Sequence, residues 1–349
     1  MTFGAETASG PPDAAATERD NARVWQGQPG HYEVWYLTFN HRPSRTGFWI
    51  RYTMEAPCAG HGDPHAQLWF ATFDATRPER NFAINRKLPL TSMTARAAPF
   101  EVRIGDATLT HASARGSLAG EGHSARWELA WTPARRTHLF LPGALYRSSR
   151  VATKVLSPNL DLALRGRVEV DGRTLVLQGE PGGQSHVWGR KHAHAWAWGH
   201  CNAFEGRTGT AFEALTARVR RFTPPLTFLS LVLDGEPLAF TGLADTLFNR
   251  GRAGTARFDF HAHGSEVRIE GGYACRPEDM VVAEYADPDG TASYCANTEV
   301  ADLELRVYRR SGWLRRWVEQ ARIAAPGCGH FEVGGRSVDP AIPGRHLPV

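Results

Sequence analysis

The stretch HYEVWYLTFN, residues 31–40, decides the fold class of this chain. Its side chains alternate between two sides, with Trp35 and Leu37 on one of them, and this period of two is typical of a β-strand. A turn follows, and residues 48–54 read as a second strand. More short aromatic and β-branched runs follow, separated by Gly- and Asp-containing turns. The pattern predicts an all-β protein of antiparallel strands.

The opening unit recurs 162 residues further along the chain. The tripeptide Arg-Thr-Gly at residues 45–47 returns at residues 207–209, and Trp35 is matched by Trp198. A single spacing of this size is typical of two domains rather than of a solenoid. We therefore expect two tandem antiparallel β-barrel or sandwich domains. The expected parts are a disordered or loosely attached arm at residues 1–27, a first domain at 28–156 and a second domain at 165–349.

Composition and charge exclude several classes of function. The chain has 349 residues and a net charge of +4, so it lacks the basic field that nucleic-acid binding needs. Its longest apolar stretches fall short of the roughly 20 residues of a membrane span, and its first residues lack a signal-peptide pattern. We therefore expect a soluble cytoplasmic protein without nucleic acid as a partner.

The segment QSHVWGRKHAHAWAWGHCNAF, residues 184–204, is the densest in aromatic and polar side chains. As a strand it places Trp196, Trp198, His200 and Asn202 on one face and small residues on the other. The large face is expected to line an enclosed cavity. The alternative is that the tryptophans only fill a core, but His200 and Asn202 need hydrogen-bond partners when buried.

This segment carries a resemblance to a known family. Trp188-Gly189, six residues, Trp196-Ala197-Trp198, three residues and Asn202-Ala203-Phe204 resemble the W-G-x6-W-x-W-x3-N-x-F pattern of tocopherol cyclases. The chain is also similar to the wider superfamily of carotenoid 1,2-hydratase (hydroxyneurosporene synthase), AttH-like proteins and lipocalin-type Diels-Alderases, whose early W-Y is matched by Trp35-Tyr36. The resemblance implies two lipocalin-like domains, a hydrophobic ligand, and ring-forming or hydration chemistry without a cofactor. Ser185 stands where hydratase-like members tend to have Asp, which weakens hydratase chemistry.

Strand parity selects the candidate acids. Glu33 shares a face with Trp35, and Arg51 is expected opposite it, so that a cross-strand Glu33–Arg51 ion pair is the structural alternative to catalysis. Glu213 occupies the corresponding region of the second unit. Any of these carboxyl groups enclosed by aromatic walls would have a raised pKa and could donate a proton.

The strand at residues 295–307 supplies the remaining candidates. Its odd positions are mostly apolar, so Asn297 and Glu299 are expected to point inward with them. Glu299 has no obvious basic neighbour on its own face and is the preferred proton donor, ahead of Glu33. Two His-x-His pairs, beginning at His192 and His261, lack a third ligand at a fixed spacing, so no metal site is predicted.

Two functions remain open at this point. One is a cofactor-independent cyclase, hydratase or isomerase acting on a hydrophobic isoprenoid or polyketide-like molecule, in which aromatic walls orient the substrate and one acid protonates it. The other is a carrier that binds such a ligand unchanged. The predicted ligand-binding residues are Trp35, Arg51, Trp188, Trp196, Trp198 and Asn297. The predicted catalytic residues are Glu299, His200, Asn202, Glu33 and Glu213.

Overall fold

A computed structural model describes residues 13–242, 244–343 and 346–347 and contains two large β-sheets. The strands of the first sheet are β1 (His31–His41), β2 (Thr46–Ala56), β3 (His65–Asp74), β4 (Phe82–Pro89), β5 (Met93–Ala97), β6 (Phe100–Ile104), β7 (Ala107–Thr110), β8 (Ser113–Gly120), β9 (His123–Ala130), β10 (His138–Leu139), β11 (Thr153–Val170) and β12 (Arg173–Gly189). The strands of the second sheet are β13 (Ala195–Cys201), β14 (Ala211–Arg218), β15 (Leu226–Leu233), β16 (Glu236–Phe240), β17 (Arg250–Gly254), β18 (Arg257–His263), β19 (Val267–Ala274), β20 (Val281–Ala286), β21 (Ala292–Ser311), β22 (Arg316–Gly335) and β23 (His346–Leu347). The helices are α1 (Ala14–Asp20), α2 (Gly143–Tyr146) and α3 (Asp245–Phe248).

The two sheets have matching topologies. The first runs β4-β3-β2-β1-β12-β11-β9-β8-β7-β6-β5, and the second runs β16-β15-β14-β13-β22-β21-β19-β18-β17. Strands β1 and β13 therefore occupy equivalent places, and these are the strands that carry Trp35 and Trp198. All pairings along both paths are antiparallel. The predicted all-β fold of two tandem antiparallel units is confirmed.

Each sheet encloses its own hydrophobic core. In the first, Trp35 and Phe48 are fully buried with the other inward side chains of β1, β2 and β3. In the second, Phe212 and Tyr273 occupy the corresponding interior. Burying side chains of this size contributes about 2–3 kcal/mol each, and this explains why aromatic residues alternate along both sets of strands.

A third hydrophobic cluster lies between the sheets. Trp49 and Trp69 of the first sheet pack there with Trp196 and Tyr285 of the second. The strands that form this contact are therefore buried on both faces, one against their own core and one against the other sheet. The close approach of β2 to β21 depends on Gly47, because a Cβ atom there would lie 2.4 Å from Cβ of Glu299.

Two expectations about the chain's organisation differ from the structure. The division between the sheets falls between Gly189 and Ala195, because β11 and β12 pair with β9 and β1 of the first sheet. The sequence pattern alone predicts that residues from 165 onward belong to the second unit, since a hairpin at residues 170–173 is compatible with either unit.

The expected loose arm at residues 1–27 is structured where it is described, and residues 1–12 lie outside the described part. Asp13 caps α1, and the fully buried Asn21 exchanges two amide hydrogen bonds with Gln184, at 3.1 and 2.7 Å. Such bonds to a residue far along the chain leave no trace in local composition.

Candidate functional site

The face of β13 that carries Trp196, Trp198 and His200 packs against the first sheet. Ala197 and Cys201, on its other face, lie in the second core. The predicted grouping of the large side chains is therefore seen, but they point into the space between the sheets and not into the interior of a barrel. Polar side chains from both sheets meet them there.

Glu213 is the central acid of this region. It lies opposite His200 on β14, and its side chain is 0% exposed. Its carboxyl accepts hydrogen bonds from Nε1 of Trp198 at 2.8 Å and from the hydroxyl of Ser157 at 2.9 Å. Burial raises the pKa of Glu213 to about 8, and these two neutral donors offset only part of that rise. The group is therefore a protonated carboxylic acid near neutral pH.

A chain of hydroxyl groups connects Glu213 with the first sheet. The Ser157 hydroxyl lies 2.9 Å from the Ser185 hydroxyl. Burial raises the pKa of Tyr36, although Ser185, which is in turn a neighbour of the Tyr36 hydroxyl, lowers that pKa in part. Trp198 meets the half-buried Tyr36 ring edge-on at 5.7 Å. When Glu213 is protonated, its O–H can donate to the Ser157 oxygen in place of the reverse bond, and Ser157 can then donate to Ser185. In that orientation the series can pass a proton from the Glu213 carboxyl towards the Tyr36 oxygen.

No cation neutralises Glu213 within the described part of the chain. Its nearest imidazole, His138, has Nε2 3.8 Å from the carboxyl oxygen, beyond hydrogen-bond distance. Burial lowers the pKa of His138 to about 3, so the ring is uncharged at neutral pH. The acid and the imidazole are both neutral, which fits an enclosed apolar site.

Glu299, the preferred donor in the sequence analysis, lies in a separate network. Its Oε2 is buried without a hydrogen-bond partner and is 3.8 Å from Nε2 of His330. Nδ1 of His330 lies 2.9 Å from Nδ1 of His200. Burial raises the pKa of Glu299 and lowers those of both histidines.

The outer nitrogens of the two histidines contact oxygen acceptors. Nε2 of His200 is 2.7 Å from the Leu160 carbonyl, and Nε2 of His330 is 2.8 Å from Oδ1 of Asn40. Both nitrogens must therefore donate, and the Nδ1–Nδ1 contact has room for one shared proton. These contacts give His200 a role in joining the sheets.

Glu332 is a site residue that the sequence reasoning missed. It lies opposite Trp198 on β22, and its Oε1 accepts a hydrogen bond of 2.8 Å from Nε1 of Trp196. Burial raises its pKa, while its side chain stays half-buried. The period of two along β22 could have identified it, because His330 and Glu332 are two positions apart and share one face of the strand that pairs with β13.

Arg51 and Glu33 do not form the expected cross-strand pair. Trp35 is paired with Tyr52, so Arg51 points to the opposite face of the sheet from Glu33. The Arg51 guanidinium instead lies 4.2 Å from the ring centre of Tyr285, and its Nε donates to Thr53. Arg51 thus contributes positive charge to the space between the sheets.

Glu33 lies on the first-core side and has a different environment. Its carboxyl is 0% exposed, contacts Nε2 of His186 at 2.9 Å, and accepts backbone N–H bonds from Val24 and Trp25. Burial would raise its pKa, but the hydrogen bonds from His186 and its neighbours lower it to about 2. Glu33 is therefore ionised and anchors the segment before β1.

The remaining predicted residues divide between these regions. Trp35 stacks on His186 at a ring distance of 4.9 Å, and Trp188 lies tilted against the same imidazole at 4.8 Å, apart from Trp196 and Trp198. The four tryptophans therefore do not border one cavity. Asn297 lies opposite Glu332, with its amide bonded to the Cys295 carbonyl.

Asn202 follows the end of β13 at the junction of the sheets. Its amide nitrogen donates to Asp161 and to the Leu162 carbonyl, at 2.8 and 3.0 Å. These bonds hold the end of β13 against β11, a positioning role consistent with the place of this Asn in the motif.

A cavity of about 610 Å³ opens at one end of the second sheet. Its wall includes Trp196, Tyr294, Val333 and Ile342. The one carboxylate on its lining, Asp339, is hydrogen-bonded to Thr255 and to a backbone N–H. The cavity is large enough for a small hydrophobic molecule.

Metal-ligating side chains are not clustered in the part of the chain that is described, where no group of three His, Cys, Asp or Glu could hold an ion. His192, from one predicted pair, stacks on Tyr32 and bonds Asp287 at 2.7 Å. Across the same residues, no helix is both long and apolar enough to cross a bilayer.

Comparison with known proteins gives relatives over most of the chain. Uncharacterized protein Rv0493c of Mycobacterium tuberculosis (strain ATCC 25618 / H37Rv) is 27% identical over 325 residues, 91% of each chain. The crystal structure of a candidate AttH protein from Nitrosomonas europaea superposes with a TM-score of 0.52 at 15% identity, covering 88% of this chain and 93% of its own. CghA with Sch210972 gives a TM-score of 0.49 at 10% identity, with 90% and 94% covered.

The AttH structure supports the fold alone. The sequence evidence goes further, because residues 161–335, about half of the chain, match the family model described as tocopherol cyclase-like. This range includes the tryptophan segment at residues 188–204 and Glu213. The chain belongs to the tocopherol cyclase-like family.

Proposed function

We propose that this protein is a cofactor-independent cyclase, hydratase or isomerase acting on a hydrophobic isoprenoid or polyketide-like molecule. The family to which the chain belongs is named for a cyclase. Protonation of an alkene or carbonyl requires an acid that is still protonated near neutral pH. Glu213 is such an acid.

The observation that carries the proposal is the neutral donor set of Glu213. A carboxylate surrounded by basic groups would stay ionised, whereas the side chains that donate hydrogen bonds to Glu213 in the described structure are an indole and a serine, both neutral. Its elevated pKa, about 8, matches the requirement for a general acid. We assign Glu213 the role of proton source in place of Glu299.

The proton reaches the substrate through the hydroxyl series. Glu213 is fully covered, so the half-buried Tyr36 is the end of the series that a bound molecule can contact. The Trp198 and Tyr36 rings would orient the molecule, and their π faces would stabilise a developing carbocation. In this scheme the transfer is concerted: Tyr36 passes its proton to the substrate as it takes one from Ser185, Ser185 takes one from Ser157, and Ser157 takes one from Glu213, which ends as the carboxylate. Burial raises the pKa of Tyr36, so Tyr36 relays the proton and Glu213 is its source.

Replacement of Glu213 by Gln tests this assignment. The ligand is first identified by mass spectrometry of small molecules that co-purify with the protein. Glu213→Gln should then lower turnover by at least about 100-fold with ligand binding retained, because the amide keeps the shape and removes the acidity. The matched control is Glu299→Gln, which should leave turnover within severalfold of the unmodified protein. Loss of turnover in the control alone would transfer the role to Glu299.

A second candidate function is a carrier, and the position of the cavity supports it. Glu213 does not belong to the lining of the 610 Å³ cavity, so a ligand bound there would be out of contact with it. The carboxylate that does line the cavity, Asp339, is already hydrogen-bonded to Thr255. A carrier would release the co-purifying molecule unchanged after prolonged incubation. An enzyme would convert it, and Glu213→Gln would stop the conversion.

A further inference from the structure

Large apolar side chains are exposed at one end of the second sheet. Phe222, in the loop between β14 and β15, is 89% exposed, and Leu247 and Phe248 of α3 are 67% and 58% exposed. Val219 and Leu226 are exposed beside them. Soluble surfaces rarely leave so many large apolar groups together without a partner.

These residues form one surface, which we call the apolar rim: Val219, Phe222, Leu226, Leu247 and Phe248. The amide of Asn249, directly after α3, donates to the Thr227 carbonyl at 2.9 Å and so holds the helix beside the start of β15. Next to it, β17 packs on β14, since a Cβ on Gly251 would lie 2.7 Å from Thr216. The loop, the helix and the strand ends are therefore contiguous.

The β14–β15 loop beside the apolar rim is positively charged. Residues 218–226 contain three arginines, Arg218, Arg220 and Arg221, and no carboxylate. Arg252 of β17 is exposed nearby. In the portion of the chain that the structure covers, none of these four has an ion-pair partner, whereas Arg257, Arg315 and Arg322 do. Unpaired arginines beside exposed Phe and Leu are the arrangement that binds an anionic bilayer surface.

The 610 Å³ cavity opens at this same rim. Arg218, Pro225 and Arg252 belong to its lining, and Trp196 and Ile342 lie further along the wall. A hydrophobic molecule that left a bilayer at this surface would pass from lipid into an apolar chamber with little exposure to water.

We propose that the apolar rim docks on the surface of an anionic lipid membrane and that the cavity takes its hydrophobic ligand from that membrane. The arginines contact lipid phosphates, and Phe222, Leu247 and Phe248 insert among the acyl chains near the headgroups. A protein partner is less favoured, because residues 218–226, at the β14–β15 loop of the rim, carry three arginines and no carboxylate, and two arginines, Arg218 and Arg252, lie on the cavity lining beside it. The proposal rests on the rim and the neighbouring cavity alone and does not require conversion of the ligand at Glu213.

Vesicle co-sedimentation of the full chain tests the docking. Binding to vesicles of equimolar phosphatidylglycerol and phosphatidylcholine should exceed binding to pure phosphatidylcholine vesicles and should weaken as salt is added. Arg220→Gln with Arg221→Gln should weaken binding to the anionic vesicles by roughly fivefold for each arginine. Phe222→Ser with Phe248→Ser should weaken it by at least about tenfold.

Trp313→Ser is the matched control. Trp313 is 90% exposed and also stands near arginines, but it lies at the β21–β22 hairpin tip, away from the cavity lining. This variant should bind vesicles like the unmodified protein. Equal binding by the Phe222/Phe248 variant would overturn the proposal, as would loss of binding in the Trp313 variant alone. A dimer in sedimentation that the Phe222/Phe248 changes dissociate, without vesicle binding, would assign the rim to self-association instead.

Discussion

Glu33 and Glu213 have the same side chain and the same complete burial, yet their pKa values are shifted in opposite directions. Glu33 has a pKa of about 2 and Glu213 of about 8. Burial raises both values. The difference comes from the donors: Glu33 is bonded by His186 and two backbone N–H groups, and Glu213 by an indole and a serine. The hydrogen-bond donors, rather than the depth of burial, therefore decide which carboxyl group is ionised and which is protonated.

The two sites also differ in what they connect. Glu33 joins β1 to the segment before it, wholly on the first-core side of the sheet. Glu213 lies between the two sheets and reaches the first one only through Ser157. The ionised Glu33, which stabilises the fold, is therefore separated from the neutral Glu213, which can donate its proton.

Glu33→Gln should produce the largest effect on stability. The amide nitrogen cannot accept the hydrogen bonds that the carboxylate oxygen accepts, so buried donors are left without partners, which should lower the free energy of unfolding by about 3–5 kcal/mol. Denaturant unfolding near neutral pH measures this loss. A change below about 1 kcal/mol would mean that Glu33 is not the ionised anchor described above.

Glu213→Gln should change the pH dependence of stability instead. The folded-state pKa of Glu213 is raised from 4.5 to about 8, so between these values the unfolded state loses this proton while the folded state keeps it. The unmodified protein therefore loses stability as pH rises through this window, by up to about 3 kcal/mol near neutral pH. The Gln variant should lack this component when unfolding is measured across the window. Parallel pH profiles for the two proteins would contradict the raised pKa.

Ser157→Ala should have the smallest effect of the series. It removes one neutral hydrogen bond, worth about 1 kcal/mol, and raises the pKa of Glu213 further because the Ser157 hydroxyl lowers it. The variant should also slow turnover by interrupting the hydroxyl series. If titration of this variant gave a lower Glu213 pKa than in the unmodified protein, the expected effect of the Ser157 hydroxyl would be wrong.

The fold was accessible from sequence because its signals are local. Alternation at residues 31–40 and the return of Arg-Thr-Gly at residues 207–209 predicted two like units, and the matching sheet orders confirm them. Parity also placed Trp198 and His200 on one face. It could not say which core that face meets, because β13 is buried on both sides and a period of two does not distinguish them.

The site was less accessible because it depends on register and on contacts between the sheets. Whether Arg51 faces Glu33 is decided by the pairing of Trp35 with Tyr52, and a shift of one residue would reverse it. Likewise, the His186 partner of Glu33 lies 153 residues away in sequence. Glu213 and Glu299 were both identified as candidates, but choosing between them requires their hydrogen-bond partners.

The protonation state of Glu213 is the most direct test of the account. Infrared difference spectroscopy at neutral pH, comparing the unmodified protein with Glu213→Gln, isolates the C=O stretch of a protonated carboxyl at this position. If Glu213 is a neutral acid, this band is present in the unmodified protein, vanishes in Glu213→Gln and persists in Glu33→Gln. A carboxylate band for Glu213 at neutral pH would contradict it.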